Sequence, residues 1–567
     1  MTISILILTI NFMFGCKSSS LINKRILVTT DCEVELDPHQ NKIQLLSHKE
    51  YQNTIEDGLG LSISSVTKDF SPIDRSRGFS NSYYDVHISK IRAKNYIDAA
   101  FKISQIALAD NEFRKKYISQ CTLAETECLS TLISEIGLRL FRRPVEDIEI
   151  ASFKSIFEEI KKYSGNLETA LNGMLAAMLM DHRFLYHNRM IQKESSPREL
   201  DNYELAERIS YYLWNSSPDE ELYSIAKTGT LREKKILEKQ VNRMIHDQKA
   251  KRTFRHYLTE WLELDNLDSV QRSNKKFPEF NGQLLSEMKE EIYHFFEMHF
   301  LENNAPMEAI FDSETSMVGP NLARVYGVQH NGNDRISFDI KESPQRSGVL
   351  TLAGILTNLS SGDTTSPVRR GLFINNKFLC EEVPPPPADA GAFKIEVDQR
   401  EDITPRERLG VHRDSAQCYD CHKVIDPVGL AFENFDAIGK FRTQYENGRD
   451  IDPAGFIMFP NDATVKRSFD NFKTLSEILK SSKQTKRCFV QKSMQYATKY
   501  RPEFKHLCEV DKIRHVFEKN GGTYMSLISS IIHSLSFNSV VDGGIGSVSA
   551  PNLPHVPLPS LDKKSIN

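Results

Sequence analysis

The sequence lacks the features that mark several large classes of protein. After residue 16 it has no apolar run that approaches the length of a transmembrane span. Its net charge of -4 leaves no basic excess, so the chain has no electrostatic footprint for nucleic acid. It also contains no HExxH sequence, no phosphate-binding loop and no nucleophile elbow, and so none of the chemistry that those motifs carry.

The composition describes a large globular chain. Of its 567 residues, 40 % are hydrophobic and 26 % are charged. One hydrophobic core rarely serves so long a chain, so we expect several domains. Apolar residues recur mostly at helical spacing, as along Leu285, Met288, Ile292 and Phe296. The predicted fold class is therefore mainly α, with several helical domains.

One short pattern carries specific chemistry, the Cys-x-x-Cys-His sequence formed by Cys418, Cys421 and His422. Thiols three positions apart lie on one helical turn, where both can form thioether bonds to one haem. The following histidine can then reach the iron, as in c-type cytochromes. The sequence predicts one covalently bound haem c in a small cytochrome-like module, with His422 as the proximal ligand.

Other interpretations of this motif are weaker. A thioredoxin-like dithiol would follow a strand in a βαβ unit, and no such pattern surrounds the motif, which is soon followed by Asp426-Pro427. A zinc site needs four ligands; His412 could supply one more, but there is no second Cys-x-x-Cys. Chance occurrence of a five-residue pattern is the remaining alternative.

The ligand on the far side of the iron decides between an electron carrier and a catalyst. Met458 follows the motif at a distance that a small cytochrome can use, and it has apolar neighbours. Methionine ligation raises the reduction potential of a haem. We predict Met458 as the distal ligand; Met494 and His412 are competitors, and a purely structural role for Met458 in the core stays open.

The first residues resemble an export signal. Residues 3–14 form an apolar run that is too short for a membrane span but suits a signal-peptide core. Cys16 and a polar tether follow, which resembles a bacterial lipoprotein signal with Cys16 as the lipidated residue. Two departures are the lack of Lys or Arg before the run and the bulky Phe14. We expect a lipid-anchored protein of the periplasm or outer membrane.

The remaining cysteines point to an oxidising compartment. They are even in number: Cys32, Cys121, Cys128, Cys380, Cys488 and Cys508. In an exported protein such a set is typical of disulfides, whose connectivity a sequence cannot determine. Proximity favours Cys121 with Cys128 and Cys488 with Cys508, which leaves Cys32 with Cys380.

Local signals divide the chain into segments. Asp201 and Glu204 form a capping box that starts a helix, and Ser217 followed by Pro218 predicts the start of the next. The predicted segments are a signal segment 1–16, helical domains 40–110, 118–190 and 198–330, a haem-binding domain 340–445, a C-terminal helical domain 446–540 and a disordered tail 541–567.

Several segments together resemble a known family, the planctomycete-type cytochrome c proteins, whose domains are mostly of unknown function. The resemblance is carried, in chain order, by 44–55 (QLLSHKEYQNTI), 140–145 (LFRRPV), 200–214 with 217–219, 365–371 (TSPVRRG), 380–387, 425–429 (IDPVG), 433–439 (ENFDAIG) and 471–537. It implies family membership and haem binding but no particular reaction. A second Cys-x-x-Cys-His is absent from the sequence, so one haem is expected.

The predicted function is that of an exported, membrane-anchored c-type haem protein in electron transfer, with an unidentified redox partner protein. One alternative is a surface lipoprotein that binds a polymer or a protein, with haem in a minor role. Another is a haem oxidoreductase with an open iron position. Neighbouring residues suggest Phe432 or Phe435 against the haem ring and Arg369, Arg370 or Arg442 at its propionates. The spacing of Glu291 and His294 also occurs in di-iron helices, but solvated helix faces explain it better.

Overall fold

A computed structural model describes residues 32, 34, 44–73, 75, 78–82, 88–119, 126–187, 197–330, 332, 334–339, 346–385, 403–413, 416–459, 462–503 and 506–541. Helices dominate these residues and strands form only short antiparallel pairs, so the predicted mainly α, multidomain fold is confirmed. Within these ranges no helix combines the length and apolarity that a membrane crossing requires. Cys16 and the predicted tail beyond residue 541 lie outside them.

The chain folds as helices of very different length. Within residues 44–247 they are α1 His48–Leu59, α2 Ser64–Thr67, α3 Lys90–Ala109, α4 Asn111–Phe113, α5 Thr126–Phe141, α6 Asp147–Ser164, α7 Leu167–Met180, α8 His182–Leu185, α9 Asn202–Trp214, α10 Glu220–Thr228 and α11 Lys234–Ile245. From residue 248 onward they are α12 Gln248–Trp261, α13 Gly282–Phe296, α14 Pro320–Tyr326, α15 Ala353–Asn358, α16 Pro367–Phe373, α17 Pro405–Arg413, α18 Ala416–Leu430, α19 Phe472–Ser481, α20 Lys483–Thr498, α21 Leu507–Lys519, α22 Tyr524–Ile532 and α23 Leu535–Asn538.

Irregular helical turns and strand pairs complete the described part. The π-helical turns are Arg114–Ile118, Glu297–Glu302 and Ile374–Phe378, and the 3₁₀ turns are Leu264–Ser269, Met307–Phe311 and Val349–Thr351. The strands are β1 Pro197–Glu199, β2 Thr315–Val318, β3 Ile336–Asp339, β4 Gly455–Phe459, β5 Asp462–Phe469 and β6 Ser539–Val541. They pair antiparallel as β1 with β6, β2 with β3 and β4 with β5.

Two compact units share the chain. The N-terminal unit comprises Glu35–Lys249, Tyr496–Tyr500 and Ile532–Asn567. The central unit comprises Met1–Val34, Ala250–Gln495 and Arg501–Ile531, and it contains the Cys-x-x-Cys-His sequence. Each unit is therefore assembled from segments that are far apart in sequence.

Each unit has its own aromatic core and one of the two tryptophans. In the N-terminal unit Trp214 is fully buried and donates from its indole nitrogen to the Met244 carbonyl. In the central unit Trp261 packs edge-on against Phe296, Phe378 and Phe489. Such rings bury large apolar areas, which stabilises the helices around them.

Helix starts follow capping chemistry, with one correction. Asp201 caps α9 through a reciprocal pair of bonds with Glu204, as the sequence predicts. The next helix does not start at Ser217. Asp219 is its cap, because its carboxylate accepts from the backbone N–H of Leu222 at 3.0 Å. Asp219 therefore takes the capping position that the sequence predicts for Ser217.

Two of the three predicted disulfide pairings are wrong. Cys380 is bonded to Cys488 and Cys32 to Cys508, so neither Cys488–Cys508 nor Cys32–Cys380 forms. Cys488 is buried in α20, where it meets the chain segment that follows the π-helical turn Ile374–Phe378. Cys508 lies in the first turn of a different helix, α21. A pairing based on distance in sequence does not take into account that the two cysteines lie on different helices.

The remaining cysteines are in different states. Cys128 is disulfide-bonded, and its predicted partner Cys121 lies outside the described residues, so that pairing stays a prediction. Cys418 and Cys421 are not in disulfides. The two cysteines of the Cys-x-x-Cys-His sequence thus differ from the disulfide-bonded ones.

Candidate functional site

Helix α18 presents the three residues of the Cys-x-x-Cys-His sequence together. Cys418 and Cys421 are outside the disulfides and partly exposed, and they stand about one helical turn apart. Tyr419, which lies between them in sequence, is 49 % exposed. In the described part of the chain, these positions of α18 are thus at least partly accessible to solvent.

The histidine of the motif is held by a buried carboxylate. Nδ1 of His422 lies 2.9 Å from Oδ1 of Asp426, one turn further along α18. A carboxylate can only accept, so Nδ1 is the donor and a neutral imidazole then keeps its lone pair on Nε2. The His422 side chain is 22 % exposed, whereas that of Asp426 is fully buried. Asp426 thus orients the ring through Nδ1, and Nε2 is the nitrogen that chemically could bind a metal.

The position of α18 depends on close backbone contacts. A side chain at Gly371 in α16 would collide with the Ile425 carbonyl group, and one at Gly429 would collide with the Pro367 carbonyl group. The two helices therefore meet backbone to backbone. Pro427 lies inside α18, where it lacks the N–H that a regular helix uses, and Gly455 of β4 packs against its carbonyl oxygen.

A buried ion pair supports the turn after α18. Arg370 donates to the carbonyl oxygens of Phe432 and Phe435 at 2.6 and 2.9 Å, and it pairs with Glu433 at 3.4 Å. Burial, opposed by Glu433, lowers the pKa of Arg370 to about 10. The proposed contact of Arg370 with a haem propionate is therefore wrong, because this guanidinium is enclosed by protein groups.

The other neighbours proposed from sequence are likewise engaged with the protein. Arg369 donates to the Ser360 carbonyl oxygen and Arg442 to that of Glu433. Phe432 and Phe435 are buried, and the Phe435 ring lies edge-on to Phe441 and Phe472 and below the guanidinium of Arg346. Phe432 and Phe435 therefore belong to the core, whereas Arg369 is exposed.

The distal ligand stays a prediction. Met458 lies on β4 opposite Lys466 and is half-buried, while its neighbour Ile457 turns into the core. Met494 is buried in α20, and His412 belongs to α17, although its side chain lies outside the described part.

Alternative metal sites find no support in the described geometry. Glu291 points into the core, where it accepts from Ser316 and Tyr326, and burial raises its pKa to about 7. His294 points instead to Glu290 and Glu297, so the di-iron spacing does not bring Glu291 and His294 together. In the residues that the structure describes, no three His, Cys, Asp or Glu side chains converge as a metal site.

A second polar cluster, in the N-terminal unit, was not predicted from the sequence. His187 donates from Nδ1 to Glu207 at 3.0 Å, and the Lys499 ammonium bridges Nε2 of His187 to Glu50, 2.5 Å away. The guanidinium of Arg142 pairs with Glu207 at 2.8 Å. All five side chains are buried. The partners are up to 449 residues apart, so no local spacing could indicate the cluster.

This buried charge cluster perturbs its carboxylates strongly. Burial alone would raise the pKa of Glu207, but Arg142 and His187 hold it at about 2. The pKa of Glu50 is likewise far below its usual range, because Lys499 and His187 outweigh burial. A cavity of about 30 Å³, enough for a water molecule, adjoins the cluster and is lined by Gln44, His187, Leu200, Glu204, Glu207, Arg208, Tyr211, Ala497, Thr498 and Lys499.

The residues of the central unit fit a covalently bound haem. Oδ2 of Asp426 is buried and has no hydrogen-bond partner in the described part of the chain, so His422 is the main support of this carboxylate. Such burial is costly unless positive charge is close. A cation bound at Nε2 would supply it, and the two thiols stand beside this histidine.

Five family models match successive segments of the chain. Each is described as a protein of unknown function: DUF1587 at 44–109, DUF1595 at 128–188, DUF1592 at 200–328, DUF1588 at 346–445 and DUF1585 at 466–537. All five are planctomycete cytochrome c-type domains, which suggests a haem-related protein, and the fourth match contains the Cys-x-x-Cys-His sequence. Searches of curated proteins and of solved structures gave no match.

Proposed function

Because the chain belongs to the planctomycete cytochrome c-type family of multidomain proteins, we propose that it is an exported c-type haem protein that transfers electrons. The observation that carries the proposal is a pair of cysteines outside the disulfides, beside a histidine on α18 that Asp426 orients. The other cysteines that the structure describes are all in disulfides, which distinguishes these two cysteines chemically.

In this proposal Cys418 and Cys421 hold the haem through thioether bonds, and His422 binds the iron through Nε2. Asp426 keeps the imidazole in the required tautomer and orientation, which is the usual task of a carboxylate behind a metal-binding histidine. The bound group supplies a one-electron iron couple. The chain itself supplies a buried support, since the core under α18 and the α16 contact limit movement of the helix.

Covalent attachment is tested by expression with a cytochrome c maturation system. After denaturation, the parent chain should keep haem on a gel and give the pyridine haemochrome spectrum of a haem without free vinyl groups. Cys418→Ala with Cys421→Ala should abolish both signals. Asp420→Ala is the matched control, because Asp420 lies between the cysteines and is exposed. Haem-free parent protein, or haem retained by the double variant, would contradict the attachment.

The anchor and the compartment follow from different residues. Cys16 follows the apolar run as a lipoprotein cysteine does, and disulfides such as Cys380–Cys488 persist in oxidising compartments. We therefore propose that the protein is held by lipid in the periplasm or at the outer membrane. Cys16→Ser should remove fatty-acid labelling and move the protein from the membrane fraction to the soluble fraction. Labelling that persists in the variant would refute Cys16 as the attachment point.

Electron transfer is tested on the haem-loaded protein. A carrier keeps both axial positions filled, so the reduced protein should bind carbon monoxide poorly and exchange electrons reversibly at an electrode. Met458→Ala should remove the near-infrared sulfur-to-iron band if Met458 is the distal ligand. Rapid carbon monoxide binding by the parent protein would instead favour an oxidoreductase with an open iron position.

A further inference from the structure

Asp426 occupies an unusual place for an acidic residue. It lies in the C-terminal third of α18, directly before Pro427, its side chain is fully buried, and the described part of the chain shows no capping bond from it to the backbone. Its one hydrogen bond in the described part of the chain joins Oδ1 to Nδ1 of His422. Burial of a carboxylate costs several kcal/mol unless a positive group compensates it. Packing or helix formation therefore gives no reason for an acid at this position.

The chemistry of His422 gives a reason for an acidic residue at position 426. When a histidine binds a metal through Nε2, the group that accepts from Nδ1–H sets the basicity of the ring. A carbonyl oxygen or a water molecule is a neutral acceptor, whereas a carboxylate is a charged one and forms a stronger bond. A carboxylate in a dry interior therefore draws the Nδ1 proton and makes Nε2 a stronger donor.

We propose that Asp426 is a positioning residue that lowers the reduction potential of the iron by increasing the donor strength of His422; this rests on the proposed haem attachment. A stronger donor stabilises the ferric state more than the ferrous state, because the ferric ion carries the larger charge. Both the strengthened ligand and the buried negative charge act in this direction. Asp426 would thus oppose the rise in reduction potential that methionine ligation alone would favour.

The decisive variant is Asp426→Asn in the haem-loaded full chain. Asparagine keeps the size and an acceptor oxygen but removes the charge. We expect at least a tenfold shift of the one-electron equilibrium toward the reduced form, which is a rise of about 59 mV. Asp420→Asn is the matched control, because it removes an exposed charge that pairs with Lys423 on the same helix. It should change the potential much less.

A spectroscopic readout separates this effect from a structural one. In the reduced protein with an open sixth position, the iron–histidine stretching vibration should fall in frequency in Asp426→Asn. With both positions filled, the low-spin electron paramagnetic resonance g values should move instead. Asp426→Glu restores the charge and should return both readouts toward the parent values. If Asp426→Asn does not fold, the parent itself is compared with a haem peptide whose histidine bonds only water.

The outcomes are distinct. A parent chain without covalent haem overturns the proposed function and this inference with it. Covalent haem with a potential that changes no more in Asp426→Asn than in Asp420→Asn overturns the role of Asp426 alone. A parent iron–histidine vibration equal to that of the haem peptide has the same consequence. A rise in potential together with a weakened iron–histidine bond supports the inference.

Discussion

Replacing Lys499 by methionine should destabilise the N-terminal unit strongly. The Lys499 ammonium lies 2.5 Å from Glu50 and also contacts His187, and both its pair partners are buried. Methionine keeps most of the apolar stem but leaves the Glu50 carboxylate without its nearest cation. Breaking a buried pair by removing one partner costs about 3–5 kcal/mol. The cluster contains two acidic residues and two permanent cations. It therefore has no surplus cation that could compensate the Glu50 carboxylate once Lys499 is replaced.

Urea unfolding followed by tryptophan fluorescence measures this effect in the right unit. Trp214 belongs to the N-terminal unit and Trp261 to the central unit, and the chain has no other tryptophan. A Trp261→Phe background therefore makes fluorescence report on the N-terminal unit. Lys94→Met is the matched control, because Lys94 forms an exposed pair with Asp98, and exposed pairs contribute less than about 1 kcal/mol.

A double-mutant cycle tests the reasoning. Glu50→Gln removes the charge that Lys499 compensates, so adding it to Lys499→Met should recover part of the lost stability. Equal losses for Lys499→Met and Lys94→Met would refute the argument that burial makes the pair important. Additive losses in the double variant would show that Glu50 and Lys499 do not interact.

The remaining predictions concern the central unit. Glu291 has a pKa of about 7 when folded and 4.5 when unfolded, so its contribution to stability is present below pH 4.5 and is lost as the pH rises through 7. The fall in the free energy of unfolding between pH 5 and 8 that Glu291 causes is worth up to about 3 kcal/mol, and Glu291→Gln should therefore reduce the fall in the urea midpoint over this range. An unchanged fall would contradict this. Gly429→Ala should destabilise α18 against α16 by about 1–3 kcal/mol, whereas Gly410→Ala, which meets no neighbour, should not. Non-reducing peptide mapping should recover Cys380–Cys488 and Cys32–Cys508, and a Cys488–Cys508 peptide would refute the described connectivity.

Local chemistry made much of the fold predictable. The capping box at Asp201 could be seen because its partners are three residues apart. Of the apolar residues at helical spacing in α13, Met288, Ile292 and Phe296 are fully buried. The start of α10 was misplaced because Ser217 and Asp219 are both good caps, and only tertiary packing chooses between them. Such ambiguity is local and displaces the predicted start of a helix by only a few residues.

Long-range pairing could not be predicted in this way. Cys488 has a near neighbour in sequence, Cys508, but its bond goes to Cys380, 108 residues away. The buried charge cluster was missed for the same reason, since nothing near Lys499 in sequence marks it as a partner of Glu50. The Cys-x-x-Cys-His residues could be recognised because covalent haem attachment, which stays a prediction, requires them to be adjacent in sequence. Asp426 lies one turn beyond His422, but only its burial in the structure distinguishes it from other acidic residues.

The bond between Cys32 and Cys508 has a consequence for the order of events during biogenesis. It joins residues 476 positions apart, so Cys32 has no native partner until almost all of the chain has been made. At about 5–20 residues per second, this interval is roughly half a minute to a minute and a half. During that time every other cysteine passes Cys32 as a reactive thiol, including Cys418 and Cys421. If haem attaches at Cys418 and Cys421 as proposed, thioether formation and disulfide formation compete for the same thiols. Cys32 must then stay unpaired, or be paired again, until residue 508 emerges.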